Sequence, residues 1–321
     1  MNAFPATQVL TGSRRLRDRL GDRLLFLLTL LAALVAIAAM LGIAYKVFHG
    51  AWLAISKYGL GFLTSTAWDV NKAAFGALPG LYGTAVTSFF ALLIAGPLAI
   101  AVALFLSELA PRAVRGVLGP LVEMLAAIPS VVLGLWGILV LGPFVAAHIE
   151  PWLHDNLGFL PIFSGDPSSS GVFIAILVLA IMIVPIVASI CRELFLSVPH
   201  ELEDGALALG ATRWEMVRGV VLSSSRPGIA AALILGLGRA LGEAIAVTQV
   251  IGAGWWIHKS FFGPGDTLAS RIASQFQGAQ TKEQTASLFY LAAILLVIGL
   301  VTNLAAQLIV RRFEVQRTGG S

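Results

Sequence analysis

The sequence predicts an all-α membrane protein with six transmembrane helices. Three observations lead there. The composition is 58% hydrophobic and 12% charged, with a mean hydropathy of +0.89, whereas a soluble domain carries about a quarter charged residues. The apolar residues gather in six runs, and about 20 helical residues at 1.5 Å each cross the roughly 30 Å hydrocarbon layer. Lys and Arg stand at the ends of these runs rather than in one motif, so the net charge of +4 does not point to nucleic acid. Cys191 is the sole cysteine, which excludes an intramolecular disulfide and a cysteine-based metal site; it is read as a small apolar residue at a helix end.

Residues 1–23 form a basic tail with Arg14, Arg15, Arg17, Arg19 and Arg23, leading into the apolar run 24–44. A basic start before an apolar core also marks a secretory signal, but this length suits an uncleaved first span. Residues 46–82, with Pro79-Gly80 and several aromatics, read as an extramembrane loop. A second span covers about 83–106, closed by Ser107-Glu108-Leu109-Ala110-Pro111-Arg112. The third, about 117–141, follows so closely that the two form an antiparallel hairpin; it contains Glu123, Pro129 and Ser130. Residues 142–171 turn polar and read as a loop. The fourth span, 172–191, holds Pro185, which a bundle accommodates. A polar segment at 197–226 follows, and Pro227 opens the fifth span in a first-turn position, reaching about Gly252. Residues 255–285 form a second outer loop with an amphipathic piece at 266–276. The sixth span, 286–310, ends at Arg311-Arg312. The chain thus divides into a tail (1–23), a first helix and loop (24–82), a five-helix core (83–312) and a second tail (313–321).

Six spans place both termini on one side. That side carries 14 basic residues: the five Arg of the tail, Arg112, Arg115, Arg192, Arg213, Arg218, Arg226, Arg311, Arg312 and Arg317. The other carries Lys46, Lys57, Lys72, Lys259, Arg271 and Lys282. The positive-inside rule makes the termini and the segment at 197–226 cytoplasmic.

Arg239 is left over, inside the fifth span with Glu243 four residues on, so the two share a helix face. An Arg at the centre of a membrane helix costs about 2.5–3.5 kcal/mol on insertion scales. The pair is either a structural ion pair between helices, a charge that snorkels to an interface, or a cation offered to an anion crossing the membrane, with Glu243 orienting or releasing it. Gly238 and Gly242 form a small-residue step that invites a neighbouring helix. Thr84, Ser88, Ser130 and Glu123 are further polar candidates at membrane depth; hydroxyls there commonly bond to their own helix, and Glu123 needs a partner. The five histidines, 49, 148, 154, 200 and 258, fall in loops without metal spacing.

Within the polar segment, Glu203 to Trp214 has helix-forming composition interrupted at Gly210-Ala211-Thr212. This predicts two short helices bent there, leaving Leu207, Leu209, Trp214 and Val217 as an apolar face for a partner protein. Asp204-Gly205-Ala206, then Gly210, then Val220-Val221-Leu222 resemble the EAA loop of permease subunits of bacterial ABC importers. Asp204 stands for the usual Glu, Gly205 and Ala206 for the two alanines, and Ser223 for the usual proline. Gly76-Ala77-Leu78-Pro79, Tyr82-Gly83-Thr84, Ala103 to Pro111, Ala126-Ala127-Ile128-Pro129-Ser130 and Gly236 to Glu243 extend the resemblance to the PstC-type permeases of phosphate-specific importers. The sister PstA-type subunits share much of this pattern.

The resemblance implies a type I importer permease of the MetI-like fold. It implies a PstA-like homologous partner, PstB-like ATPase subunits docked on the coupling loop through Asp204, Gly205, Ala206, Gly210, Trp214 and Leu222, and a PstS-like extracytoplasmic phosphate-binding protein. It also implies that Arg239 and Glu243 act in the passage of inorganic phosphate. The chain has no G-x-x-x-x-G-K-[ST] segment, so ATP and Mg are expected on the partner ATPases and no cofactor on this chain. Its expected place is the bacterial inner membrane, in contact with lipid. The alternatives are an importer of sulfate or molybdate, an ion-coupled secondary transporter, for which an inverted repeat is expected and none is seen, and a membrane enzyme, which needs a clustered nucleophile or metal set.

Overall fold

A computed structural model describes the backbone of residues 12–318 and the side chains of 21–305, 307 and 308. The side chains of the tail residues Arg14, Arg15, Arg17 and Arg19, and of Arg311, Arg312 and Arg317, lie outside that range. Eleven helices are described: α1 Gly12–Tyr58, α2 Gly61–Thr64, α3 Leu78–Leu109, α4 Arg112–Ala126, α5 Ser130–Leu157, α6 Val172–Leu196, α7 His200–Ala208, α8 Arg213–Gly242, α9 Ile245–Val250, α10 Leu268–Gln275 and α11 Lys282–Thr318. Among the described residues, six helical stretches, in α1, α3, α5, α6, α8 and α11, are long and apolar enough to cross a membrane. A two-stranded antiparallel hairpin, β1 Trp68–Asp69 and β2 Ala74–Phe75, is the one sheet among the described residues. The chain divides after His49 into two units. In the first, the apolar side chains of 24–43 are largely exposed; the second holds the packed core and every candidate site residue.

The core of this second unit forms where α3 meets α6. Ala91, Ala95, Ala99 and Ala103 recur every four residues and are fully buried, so they make one straight ridge of methyl groups. Ile174, Val178, Ile183, Val187 and Cys191 of α6 belong to the same buried cluster. Water does not drive helices together within lipid, and close approach of small residues is what gains dispersion energy. Gly236 of α8 extends this packing: a Cβ there lies 2.9 Å from the Ile183 and Val187 side chains.

Several boundaries differ from the sequence expectation. The third span is Ser130–Leu157, not 117–141. Pro129 cannot donate a hydrogen bond and disfavours helix before it, so α4 is a separate helix between the second and third spans and the hairpin is not direct. The helix continues through the polar residues at 142–157, widening into π turns at Gly137–Leu141 and Val145–Ile149. α1 runs on to Tyr58, past the expected end of the first span at Ala44. Pro227 lies inside α8 rather than opening it. His49, His148, His154 and His200 are helical, so only His258 is in a loop.

Candidate functional site: a charged helix break and its coupling loop

The fifth span is interrupted. α8 ends at Gly242, Glu243 turns extended (φ −72°, ψ 116°), and α9 starts at Ile245. Gly lowers helix propensity at this point, and the Glu243 carboxylate supports the restart: Oε1 accepts the N–H of Ala246 at 3.2 Å. The other oxygen, Oε2, lies 3.9 Å from Arg239 Nη2. The expected pair therefore exists, but across the end of a helix rather than along one. Glu243 is 8% exposed and the Arg239 side chain 41%. At 3.9 Å the contact leaves the guanidinium's forked donors free for an anion. Arg239 stands in the last turn of α8, where the helix dipole favours a cation. Gly238 and Gly242 have nothing within 4 Å of a Cβ; the close helix approach falls on Gly236 instead.

The remaining polar candidates are placed differently. Glu123 lies on α4, outside the third span, and accepts from Arg192 Nη1 at 3.1 Å; Glu123 is exposed and Arg192 largely buried, and the pair ties α4 to α6. Thr84 is buried and its hydroxyl accepts the N–H of Leu268 at 3.0 Å, an anchor for α10. Ser88 is buried without a hydrogen-bond partner among the described residues. Ser130 is the half-buried first residue of α5.

The segment 197–226 forms the two expected helices. α7 ends at Ala208 and the chain turns at Gly210, whose φ of +88° is the left-handed conformation that suits glycine; Gly210 donates to Leu207 at 3.0 Å and Ala211 to Ala206 at 3.2 Å. Thr212 then caps α8, its hydroxyl and backbone exchanging hydrogen bonds with Glu215. Asp204 and Gly205 are exposed, Ala206 and Leu222 pack on the core. Leu209 is 91% exposed, and Leu202, Leu207 and Trp214 are exposed beside it. Val217, expected on this face, is buried with Met216 and Val221. The loop therefore runs without interruption into the core and on to Arg239.

Sequence reasoning missed Asp266 and Arg271, counting the latter as an outer-loop charge. Asp266 Oδ2 and Arg271 Nε lie 2.8 Å apart with side chains 2% and 7% exposed. Burial pushes the Asp266 carboxyl above the usual carboxylate range, against the pull of Arg271, Ser270 and Thr267; burial likewise lowers the Arg271 guanidinium, against the pull of Asp266. The signal available was an Asp-Thr helix start followed by one Arg in an amphipathic piece.

Membrane-length helices, a charged pair at a helix break and an exposed apolar loop continuous with that helix define the class: a multi-pass membrane permease. The description "binding-protein-dependent transport system inner membrane component" matches residues 95–315, and the chain belongs to that family. It is 40% identical over 99% of its length to a phosphate transport system permease protein PstC of Mesorhizobium japonicum, covering 98% of that protein. It is 40% identical over 95% of its length to a PstC protein of Haemophilus influenzae, covering 98% of it. A subunit of a bacterial alginate ABC transporter, solved with its periplasmic protein, has the same fold, with a TM-score of 0.59, 21% identity and coverage of 92% of this chain and 97% of that one. The fold is the MetI-like fold of ABC importer permeases, and the protein is a multi-pass component of the inner membrane.

Proposed function

We propose that the chain is the permease subunit of an ATP-driven importer that moves inorganic phosphate into the cell by alternating access. The observation that carries this reading is Arg239 at the break between α8 and α9. It is a cation at membrane depth with donors to spare, in a chain 40% identical to phosphate transport permease proteins over nearly its whole length. Glu243 restrains Arg239 and competes with the anion for it, so that the anion is held without being trapped. Thr84 supports this region from α3 by anchoring α10, and Ser88 and Ser130 are the hydroxyls proposed to line the way. A second, homologous permease of the PstA type covers the exposed face of Arg239, because a half-exposed guanidinium is not stable against lipid. Extracytoplasmic binding protein of the PstS type delivers phosphate, and PstB-type ATPases carry the ATP and Mg. The termini and the loop at 197–226 face the cytoplasm.

A lone guanidinium also suits sulfate or molybdate, so competition decides the substrate. With the assembled complex in proteoliposomes, labelled phosphate uptake is expected to require ATP and the binding protein. Excess unlabelled phosphate is expected to abolish it and excess sulfate or molybdate to leave it intact; equal competition by sulfate would sink the substrate assignment. Docking is tested separately. Leu209→Glu with Trp214→Glu places two charges on the apolar face, and the ATPase recovered with the purified permeases is expected to fall at least about tenfold, the weight of a few buried hot-spot residues. Recovery at the wild-type level would move the docking surface elsewhere.

A further inference from the structure

Asp266 and Arg271 belong to no span, yet both are almost wholly buried. The guanidinium lies against a pair of touching indoles, its Cζ 4.2 Å from the ring centre of Trp255 and 5.4 Å from that of Trp68, whose own ring centres are 4.9 Å apart. Trp68 is itself held, donating its Nε1–H to Gln275 at 2.8 Å. Asp266 accepts from the Ser270 hydroxyl and from the N–H of Thr267. On the α3 side, Gly83 permits contact by backbone alone, since a Cβ there lies 1.9 Å from the Asp266 carbonyl oxygen. A desolvated ion pair contributes little net stability, because dehydrating two charges offsets their attraction. Its effect is to fix geometry.

The element it fixes is α9. Gly265, next to Asp266, donates its N–H to the carbonyl of Ile251 at 2.9 Å, just past the end of α9. The Ser270 carbonyl, next to Arg271, lies 3.4 Å from the Thr248 hydroxyl in the middle of α9, whose main acceptor is the Ala244 carbonyl at 2.6 Å. The other end of α9 is the turn capped by Glu243. The geometry points to Arg271 as a positioning residue for anion passage: clamped by Asp266, Trp68 and Trp255, it sets the placement of α9 and through it the separation of Glu243 from Arg239. The guanidinium is walled in by the indoles and the carboxylate, so it acts through α9 and not on the anion. The inference rests on the proposed roles of Arg239 and Glu243 in phosphate passage.

The test is a mutant cycle in the complete transporter reconstituted with its ATPase and loaded binding protein. Arg271→Gln is expected to lower the maximal rate of phosphate uptake about tenfold, within what misplacement of a positioned group costs, while the half-saturating concentration of binding protein stays the same. In a Glu243→Gln background the same substitution is expected to cost nothing further, because residues acting as one unit are not additive. A full repeat of the loss in that background, or no loss in the wild-type background, overturns the inference. If the lone Asp266 charge prevents assembly, Asp266→Asn with Arg271→Gln, which leaves neither charge buried, takes its place in the cycle with the same expected outcome. Loss of phosphate uptake on Glu243→Gln, with no effect of Arg271→Gln, leaves the proposed function standing and overturns this inference alone. No effect of Glu243→Gln overturns this inference together with the proposed role of Glu243 in phosphate passage.

Discussion

Arg239→Ala is expected to reduce ATP-driven phosphate uptake about thirtyfold at unchanged protein level and ATPase content. Two unit charges about 4 Å apart attract by about 4 kcal/mol at an effective dielectric constant of 20. The guanidinium is 41% exposed, so about half of that is a fair share for an anion it meets in passage, and about 2 kcal/mol is about thirtyfold. Arg239→Lys keeps the charge but not the planar fork, and an intermediate rate is expected. Initial-rate uptake in proteoliposomes measures both. A rate for Arg239→Ala equal to that of the wild type would mean that the pair holds helices and does not meet the anion.

Asp266→Ala has the largest expected effect on stability. It strands the Arg271 charge among Trp68, Trp255 and apolar neighbours, and stranding one member of a buried pair costs about 3–5 kcal/mol. Replacing both, as Asp266→Asn with Arg271→Gln, is expected to cost far less. Thermal unfolding of the purified complex ranks the two; equal losses would mean that the charges do not interact. The pH dependence follows from the raised Asp266 carboxyl. The unfolded chain gives up this proton at lower pH than the folded one, so the contribution of Asp266 is full below the ordinary carboxylate range and declines as pH rises through the raised folded value. The lowered Arg271 guanidinium contributes fully only in strong alkali and less as pH falls through its folded value. Relative to the doubly neutral variant, wild-type stability is therefore expected to fall as pH rises from acid towards neutrality.

The six apolar spans were legible because lipid leaves a strong mark on composition: every residue facing hydrocarbon must be apolar, and the runs stand out without any knowledge of packing. Their ends were less so. Hydropathy continues across Ala127-Ile128-Pro129, where the backbone breaks, and stops at Gly142, where the helix does not, because a helix remains helical once it reaches a polar surface. Gly210 was legible as a bend because glycine is the residue that adopts a left-handed conformation without strain. Arg239 and Glu243 were legible through their cost at membrane depth. Glu123 was put in the third span because hydropathy runs on across Pro129, and its partner, Arg192, lies 69 residues away where sequence does not show the pairing. Asp266 and Arg271 were missed because a charged residue in a loop reads as solvated, and only the folded chain brings Trp68, Trp255 and Gly83 around them.

The continuity of α8 has a mechanical consequence. From Arg213 to Gly242 it is one helix of 30 residues, about 45 Å long at 1.5 Å per residue, with a π turn near its base at Val217–Val221 and Pro227 midway along it. Arg239 sits near its far end, about 40 Å from the Thr212 cap by the same rise. A tilt of about 5° at the base therefore sweeps the guanidinium sideways by about 3 Å, comparable with the whole separation from Glu243. A small angular change at the cap is enough to alter which group the guanidinium faces at the distant end.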